Sequence, residues 1–154
     1  MGMIEDRLEE LGLTLPVLRS PAGSYLPLVQ VDNMIYTSCT SCFDPNKGAL
    51  LYVGRIGSDV TVEQGVEAAE MTILNLLTIL KAELNTLDRI QQFVKVFGFI
   101  NSAPDFYRQG EVMNGASNLL IKIFGEKGKH TRSSIGTSNL AFNAPLVIDV
   151  TLRV

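Results

Sequence analysis

A few residues in this chain have types and spacings that can do chemistry. Cys39-Thr40-Ser41-Cys42 is a C-x-x-C pair. A structural zinc site needs four ligands. The chain holds 2 Cys and 1 His, so an intrachain metal site would have to recruit carboxylates. A redox dithiol wants its first cysteine at a helix N-terminus, where the thiol pKa falls. Here the pair follows an expected strand and precedes a turn, so two small part-buried thiols are the plain alternative. His130 stands in the polar run Lys127-Gly128-Lys129-His130-Thr131-Arg132. A lone histidine there reads as a solvated side chain, and no Ser–His–Asp trio follows from spacing. Arg132 opens an apolar strand and precedes Ser133-Ser134-Ile135. Its guanidinium offers a planar fork to a carboxylate; the alternative is an edge-strand arginine in water. Asn101-Ser102 and Asn114-Gly115-Ala116-Ser117 add polar groups without an attached mechanism. The sequence has no P-loop, no G-x-G-x-x-G and no H-E-x-x-H.

Several elements must position these groups. Ile4 to Leu11 has an apolar stripe of helical spacing, and Gly12 stops it. Leu13 to Gly23, with two prolines, reads as an extended arm. Leu26–Gln30 and Met34–Ser38 form a hairpin around Val31-Asp32-Asn33. Phe43–Gly48 is dense in turn residues, and Leu50–Val53 reads as a strand. Thr61 and Gln64 fit a capping box opening a helix to Leu84, with Val62, Val66, Ala69, Ile73, Leu76, Leu77, Leu80 and Leu84 on one stripe. Phe93–Ile100 is nearly all apolar, the pattern of a strand buried on both faces. Pro104-Asp105 open a second helix over Phe106–Phe124, ended by Gly125. Thr131–Thr137 and Leu146–Arg153 close the chain as strands. Two amphipathic helices and one sheet predict a two-layer α+β domain with the helices on one face. The other face stays apolar in places, the expected subunit contact.

The 154 residues carry 13 Lys+Arg against 16 Asp+Glu, a net charge of −3. A folded chain of this mass exposes roughly 7,700 Å² of about 24,000 Å², enough burial for one core. Charged residues at 19% fall below the usual value of about 25%. With a mean hydropathy of +0.21, this leans toward an oligomer. The acidic balance and the scattered basic residues argue against a nucleic-acid partner. No apolar run is long enough for a membrane span. Met1–Asp6 lacks the order of a signal peptide, so cytoplasmic residence is expected.

Thr131-Arg132-Ser133-Ser134-Ile135-Gly136, then Leu140, then Asn143 to Asp149, resemble the C-terminal signature of the RidA/YjgF family, also labelled endoribonuclease L-PSP. Asp32 to Ser38, the helix Glu63–Leu84 with Asp88-Arg89, and Val94–Asp105 leading to Val112–Ser117 resemble the same family in the same order. The resemblance runs from about Ser20 to the end and treats 1–154 as a single domain, with about 1–19 a leading helix and arm. The leading helix, the Leu50–Gly57 insertion and the form Asn-Gly-Ala-Ser look like a longer branch, distinct from the best-studied imine deaminases.

This resemblance implies a chorismate-mutase-like fold with a mixed sheet. It also implies a homotrimer whose intersubunit clefts bind small carboxylates. In the deaminase branch, water there hydrolyses 2-imino or enamine acids to 2-keto acids and ammonia without a cofactor or metal. Arg132 matches the carboxylate-gripping arginine, Tyr25 the cleft tyrosine, Ser38 the cleft serine and Asn114 the second-helix asparagine. Ser134 stands where many members have cysteine, and Cys39 where glycine is common. The branch's water-positioning glutamate falls on Val147. Asp149, two residues on, lies on the same strand face about 7 Å away and is the candidate acid or base. Without one, help worth typically 10²–10⁴-fold is missing. A carboxylate-binding trimer without turnover is therefore the alternative to the enzyme, and a ribonuclease the weaker third.

Overall fold

The computed structural model describes residues 2–17 and 19–154. It contains α1 (Met3–Glu10), β1 (Leu28–Val31), β2 (Met34–Thr37), β3 (Phe43–Asp44), β4 (Ala49–Leu50) and α2 (Val62–Leu84). These are followed by β5 (Gln92–Asn101), α3 (Gln109–Phe124), β6 (Thr131–Thr137) and β7 (Leu146–Arg153). The main sheet runs β1-β2-β7-β5-β6, and β3-β4 form a separate two-stranded ribbon. The pairings are antiparallel except β5 with β6, which α3 links as a parallel crossover.

α2 starts as its sequence dictates. Gln64 N–H donates to Thr61 Oγ1 at 3.1 Å, and Thr61 N–H donates to Gln64 Oε1 at 2.9 Å. It ends because Asn85 turns left-handed at φ 66°. The inward stripe of α2, with Ile73, Leu76, Leu77 and Leu80 all 0–1% exposed, packs on α3 and the sheet. Asp32, at φ 53°, makes the β1–β2 turn, as an aspartate tolerates. The leading helix is fastened to the body: Met3 and Ile4 N–H donate to Asp88 Oδ2 and Oδ1, both at 2.8 Å. Leu87 N–H in turn donates to the buried Glu5 Oε1 at 3.1 Å.

Three expectations change. β5 is buried on one face only: Phe93, Val96 and Ile100 are 0–1% exposed, but Phe97 and Phe99 on the other face are half-buried. The helices form a single layer, so the far side of the strand has no helix over it among the described residues. α3 begins at Gln109 rather than Phe106. Phe106 N–H closes a turn onto Ala103 O at 3.0 Å, and the ring is buried against Gly57. The Leu50–Val53 strand shrinks to the two residues of β4, since the chain bends once Leu51 N–H reaches Cys42 O at 2.8 Å.

The uncovered sheet face carries Val29 paired with Tyr36, and Phe99, beside Phe97, paired with Val147 and Ile135; Thr151 stands next to Tyr36 and Asp149 next to Phe97. Val29, Tyr36 and Ile135 are 45–47% exposed. Exposed apolar residues grouped on one uncovered face mark a candidate interaction surface.

Gly115 sets the distance between the helices. A Cβ there would stand 2.5 Å from Val66 O on α2, a backbone atom that cannot swing away. Gly115→Ala is expected to separate α2 from α3 and to cost roughly 1–3 kcal/mol. Thermal unfolding followed by circular dichroism checks this, at about 2–4 °C of Tm per kcal/mol. An unchanged Tm would refute the close approach.

Candidate functional site

Arg132 is the second residue of β6, an edge strand, and its side chain lies on the helix-facing side. Period-2 alternation there, with Arg132 level with the buried Val96 of β5, aims the guanidinium at α3. Arg132 Nη1 donates to Asn114 Oδ1 at 2.9 Å and to Ser117 Oγ at 3.1 Å; Nη2 donates to Gly110 O at 3.4 Å. Asn114 and Ser117 are three residues apart on α3 and so share a face. Among the described residues no carboxylate forms an ion pair with Arg132. Neutral acceptors hold the cation, its charge is uncompensated, and its Nε–H and second Nη2–H are left for an anion.

His130 completes this arrangement. Its Nδ1 lies 2.6 Å from Gly128 O and its Nε2 lies 2.9 Å from Ser117 Oγ. Burial lowers the imidazole pKa; the Gly128 carbonyl opposes that, and the Arg132 charge lowers it again. The neutral ring then donates from Nδ1 to Gly128 O and accepts the Ser117 hydroxyl hydrogen at Nε2. Ser117 Oγ is thereby left as an acceptor for Arg132. The solvated histidine expected from the polar run is instead half-buried and tied at both nitrogens. Residue types alone left Ser117 and His130 without a role. The signal was in the spacing: His130 and Arg132 are two apart at the start of a strand, so they share its face.

A second group lines a cavity of about 430 Å³ beside the arm residues 19–25: Tyr25, Ser38, Cys39 and Val147. Ser38 Oγ donates to Leu26 O at 2.6 Å. Cys39 Sγ donates to Asp149 Oδ2 at 3.5 Å. The thiol is at the surface but crowded. Desolvation, then the Asp149 charge and hydrogen bond, push its pKa up to about 12, so it is a thiol at neutral pH. Desolvation likewise raises the Asp149 carboxyl, with the Cys39 bond opposing. Asp149 is not among the lining residues, but its partner Cys39 is. Cys42 is fully buried, and both cysteines are free. Among the described residues no cluster of three or more His, Cys, Asp or Glu could hold a metal ion, and no helix is long and apolar enough to cross a membrane. The Ser134 hydroxyl oxygen is buried, with no partner among the described residues.

The expected site residues thus fall into two groups. Arg132 meets Asn114; Tyr25, Ser38, Cys39 and Val147 meet one another. The cavity group lies at the β2 end of the sheet and Arg132 on its β6 edge, with β7 and β5 between β2 and β6, a span of about 14 Å. One chain does not bring them together.

Ser117 and His130 also yield a test. Removing one hydrogen bond from the Arg132 support, as in Ser117→Ala or His130→Ala, is expected to weaken binding of a small carboxylate about three- to tenfold. In the wild type, a carboxylate on Arg132 offsets the charge that depresses His130, so saturating ligand raises the imidazole pKa. The folded pKa lies below the ordinary value, so the folded chain binds fewer protons than the unfolded one. His130 therefore removes stability as pH falls from the ordinary histidine range toward the lowered value. NMR titration of the imidazole with and without 2-ketobutyrate reads both effects. A His130 that titrates like a free histidine and ignores ligand would refute them.

Comparison with known proteins agrees with this architecture. The chain is 34% identical over 149 residues to Protein TCP17 of Trypanosoma cruzi, covering 96% of this chain and 92% of that one. It matches the crystal structure of Atu1372 from Agrobacterium tumefaciens, described as of unknown function, at TM-score 0.88 and 38% identity. That match covers 98% of this chain and 91% of the other. It matches a Shewanella oneidensis MR-1 crystal structure at TM-score 0.94 and 31% identity, over 99% and 100% of the two chains. The profile of the YjgF/chorismate mutase-like endoribonuclease family covers residues 5–151, and with that span, that fold and these relatives the chain belongs to this family.

Proposed function

We propose that this chain assembles as a homotrimer whose clefts, built between the Arg132 edge of one protomer and the cavity of another, hydrolyse 2-imino acids to 2-keto acids and ammonia. The observation that carries this reading is the uncompensated Arg132 guanidinium. Two of its N–H groups remain side by side for the two oxygens of a carboxylate. A positive charge beside the α-carboxylate anchors the substrate with its C=N carbon at a fixed distance. Water adds to that carbon of the iminium form, the nitrogen departs as ammonia, and the carbonyl forms from the added oxygen. Asp149, its carboxyl raised by desolvation, is the candidate to take the proton of the attacking water. Tyr25 and Ser38 line the cavity where the substrate body rests.

Val147 favours a second reading, a trimer that binds carboxylates without turnover. The position that carries a glutamate in the deaminase branch is an apolar wall here. Release of 2-keto acid from freshly generated 2-iminopropanoate or 2-iminobutanoate separates the two. Acceleration that falls in Asp149→Asn supports hydrolysis with Asp149 as the base. Binding of 2-ketobutyrate without acceleration supports the second reading. The ribonuclease implied by the family label has little support, because a net charge of −3 opposes a phosphate backbone.

A further inference from the structure

The structure assigns to this site substrates with an extended apolar side chain, leucine-, methionine- or phenylalanine-derived 2-imino acids rather than the alanine-derived one. This rests on the carboxylate-binding reading above and names its substrate class. The cavity of about 430 Å³ falls within the range of small-molecule sites, and a three-carbon acid would leave most of it to water.

Its walls are apolar: Val17 and Pro21 from the arm, Phe43 and Leu50 from the ribbon, Ile79 from α2 and Phe142 at the mouth. Four polar side chains of the lining have turned their hydrogens away. Ser38 Oγ donates to Leu26 O and Ser41 Oγ to Leu146 O, both at 2.6 Å. Thr78 Oγ1 donates to Pro16 O at 3.0 Å. Asn75 Nδ2 donates to Ser41 O and Phe43 O, both at 3.0 Å. These four side chains are therefore spent on holding the walls together, and Ser20, Tyr25 and Thr40 are the remaining neutral polar side chains of the lining. Val147 removes a charge from the same surface.

Phe142 adds an independent observation. Its backbone is left-handed, at φ 57°, and its ring is 79% exposed. A bulky residue in that region is strained, and such strain collects at ligand sites. Neighbouring bonds hold the loop in place: Asn143 N–H to Leu140 O at 3.1 Å, and Gly54 N–H to Asn143 O at 2.8 Å. The result is an aromatic face presented at the cavity mouth. Arg19, whose guanidinium lies 3.5 Å over the Phe43 ring, is the cation among the lining residues. It makes an acidic side chain the competing choice.

The test is calorimetric binding of pyruvate, 2-ketobutyrate, 4-methyl-2-oxopentanoate, phenylpyruvate and 2-oxoglutarate to the whole protein, wild type and Ile79→Gln. Each buried methylene strengthens binding about fourfold. 4-Methyl-2-oxopentanoate, with three more carbons, is expected to bind about 60-fold tighter than pyruvate. Ile79→Gln, at a half-buried position that tolerates an amide, pulls that ratio toward one. Pyruvate binding as tightly as the long acids, or 2-oxoglutarate binding tightest, overturns the inference and leaves carboxylate binding standing. Failure of every acid to bind overturns both.

Discussion

Arg132→Ala is expected to lower kcat/KM for 2-imino acid hydrolysis by about 10²–10³-fold, with the fold intact. Two charge-assisted hydrogen bonds to a carboxylate are lost together, each worth about 1.5–3 kcal/mol before the ligand's partial return to water. Arg132→Lys keeps the charge but loses the planar fork and the simultaneous reach to Asn114 and Ser117. It is expected to recover only part of the loss. The structure should survive both changes, because Arg132 is half exposed on an edge strand and its partners Asn114, Ser117 and Gly110 are neutral. No buried charge is orphaned when it is removed. Keto-acid release from freshly generated 2-iminobutanoate, read beside a circular dichroism melt, checks the prediction. Wild-type rates in Arg132→Ala would take the site away from this residue, whatever the activity.

The second large effect concerns assembly. The wild type is expected to scatter light as three chains of 16.8 kDa, about 50 kDa. Tyr36→Lys with Ile135→Lys puts two charges on the uncovered sheet face, at positions 46% and 47% exposed in the single chain. In a monomer both ammonium groups reach water and the fold tolerates them. In an interface each loses its hydration without a partner, several kcal/mol apiece. The double variant is expected to run as one chain and to lose hydrolysis, although Arg132 and the cavity remain in every copy. This follows from the two strands, roughly 14 Å, that stand between β2 and β6 within a protomer. A monomeric variant with full activity, or a wild type that runs as a single chain, would defeat the intersubunit cleft.

Much of this arrangement was legible from residue order. The capping box at Thr61 and Gln64 is local chemistry, and it forms as its spacing demands. The apolar stripe of α2 and the alternation of β7 reflect periods of 3.6 and 2, which any solvent-facing element must respect. The resemblance of the motifs that carry them named Arg132 and Asn114 as cleft residues; that they touch within one chain came from the structure. Other features needed the tertiary structure. Asn85 ends α2 through a backbone conformation that its type permits but does not require. Phe106 was expected inside α3; burial against Gly57 draws it into the preceding turn. The near-continuous apolarity of β5 was read as two covered faces, because a sequence records how apolar a face is and not what lies against it.

The same division holds at the site. By itself, the sequence determined which chemistry was available: a guanidinium near the start of a strand, and an asparagine and a serine one helical turn apart; that Val147 stands where an acid would help was what the family resemblance implied. It determined these because residue types and short spacings decide which groups share a face. Only the tertiary structure decided that His130 stands behind Ser117 and Ser117 behind Arg132. It alone decided that Cys39 is held as a thiol against Asp149 and that Tyr25 and Arg132 lie apart in one chain. Those relations join segments tens of residues apart, and strand order, helix crossing and burial set them together. No local pattern contains that information.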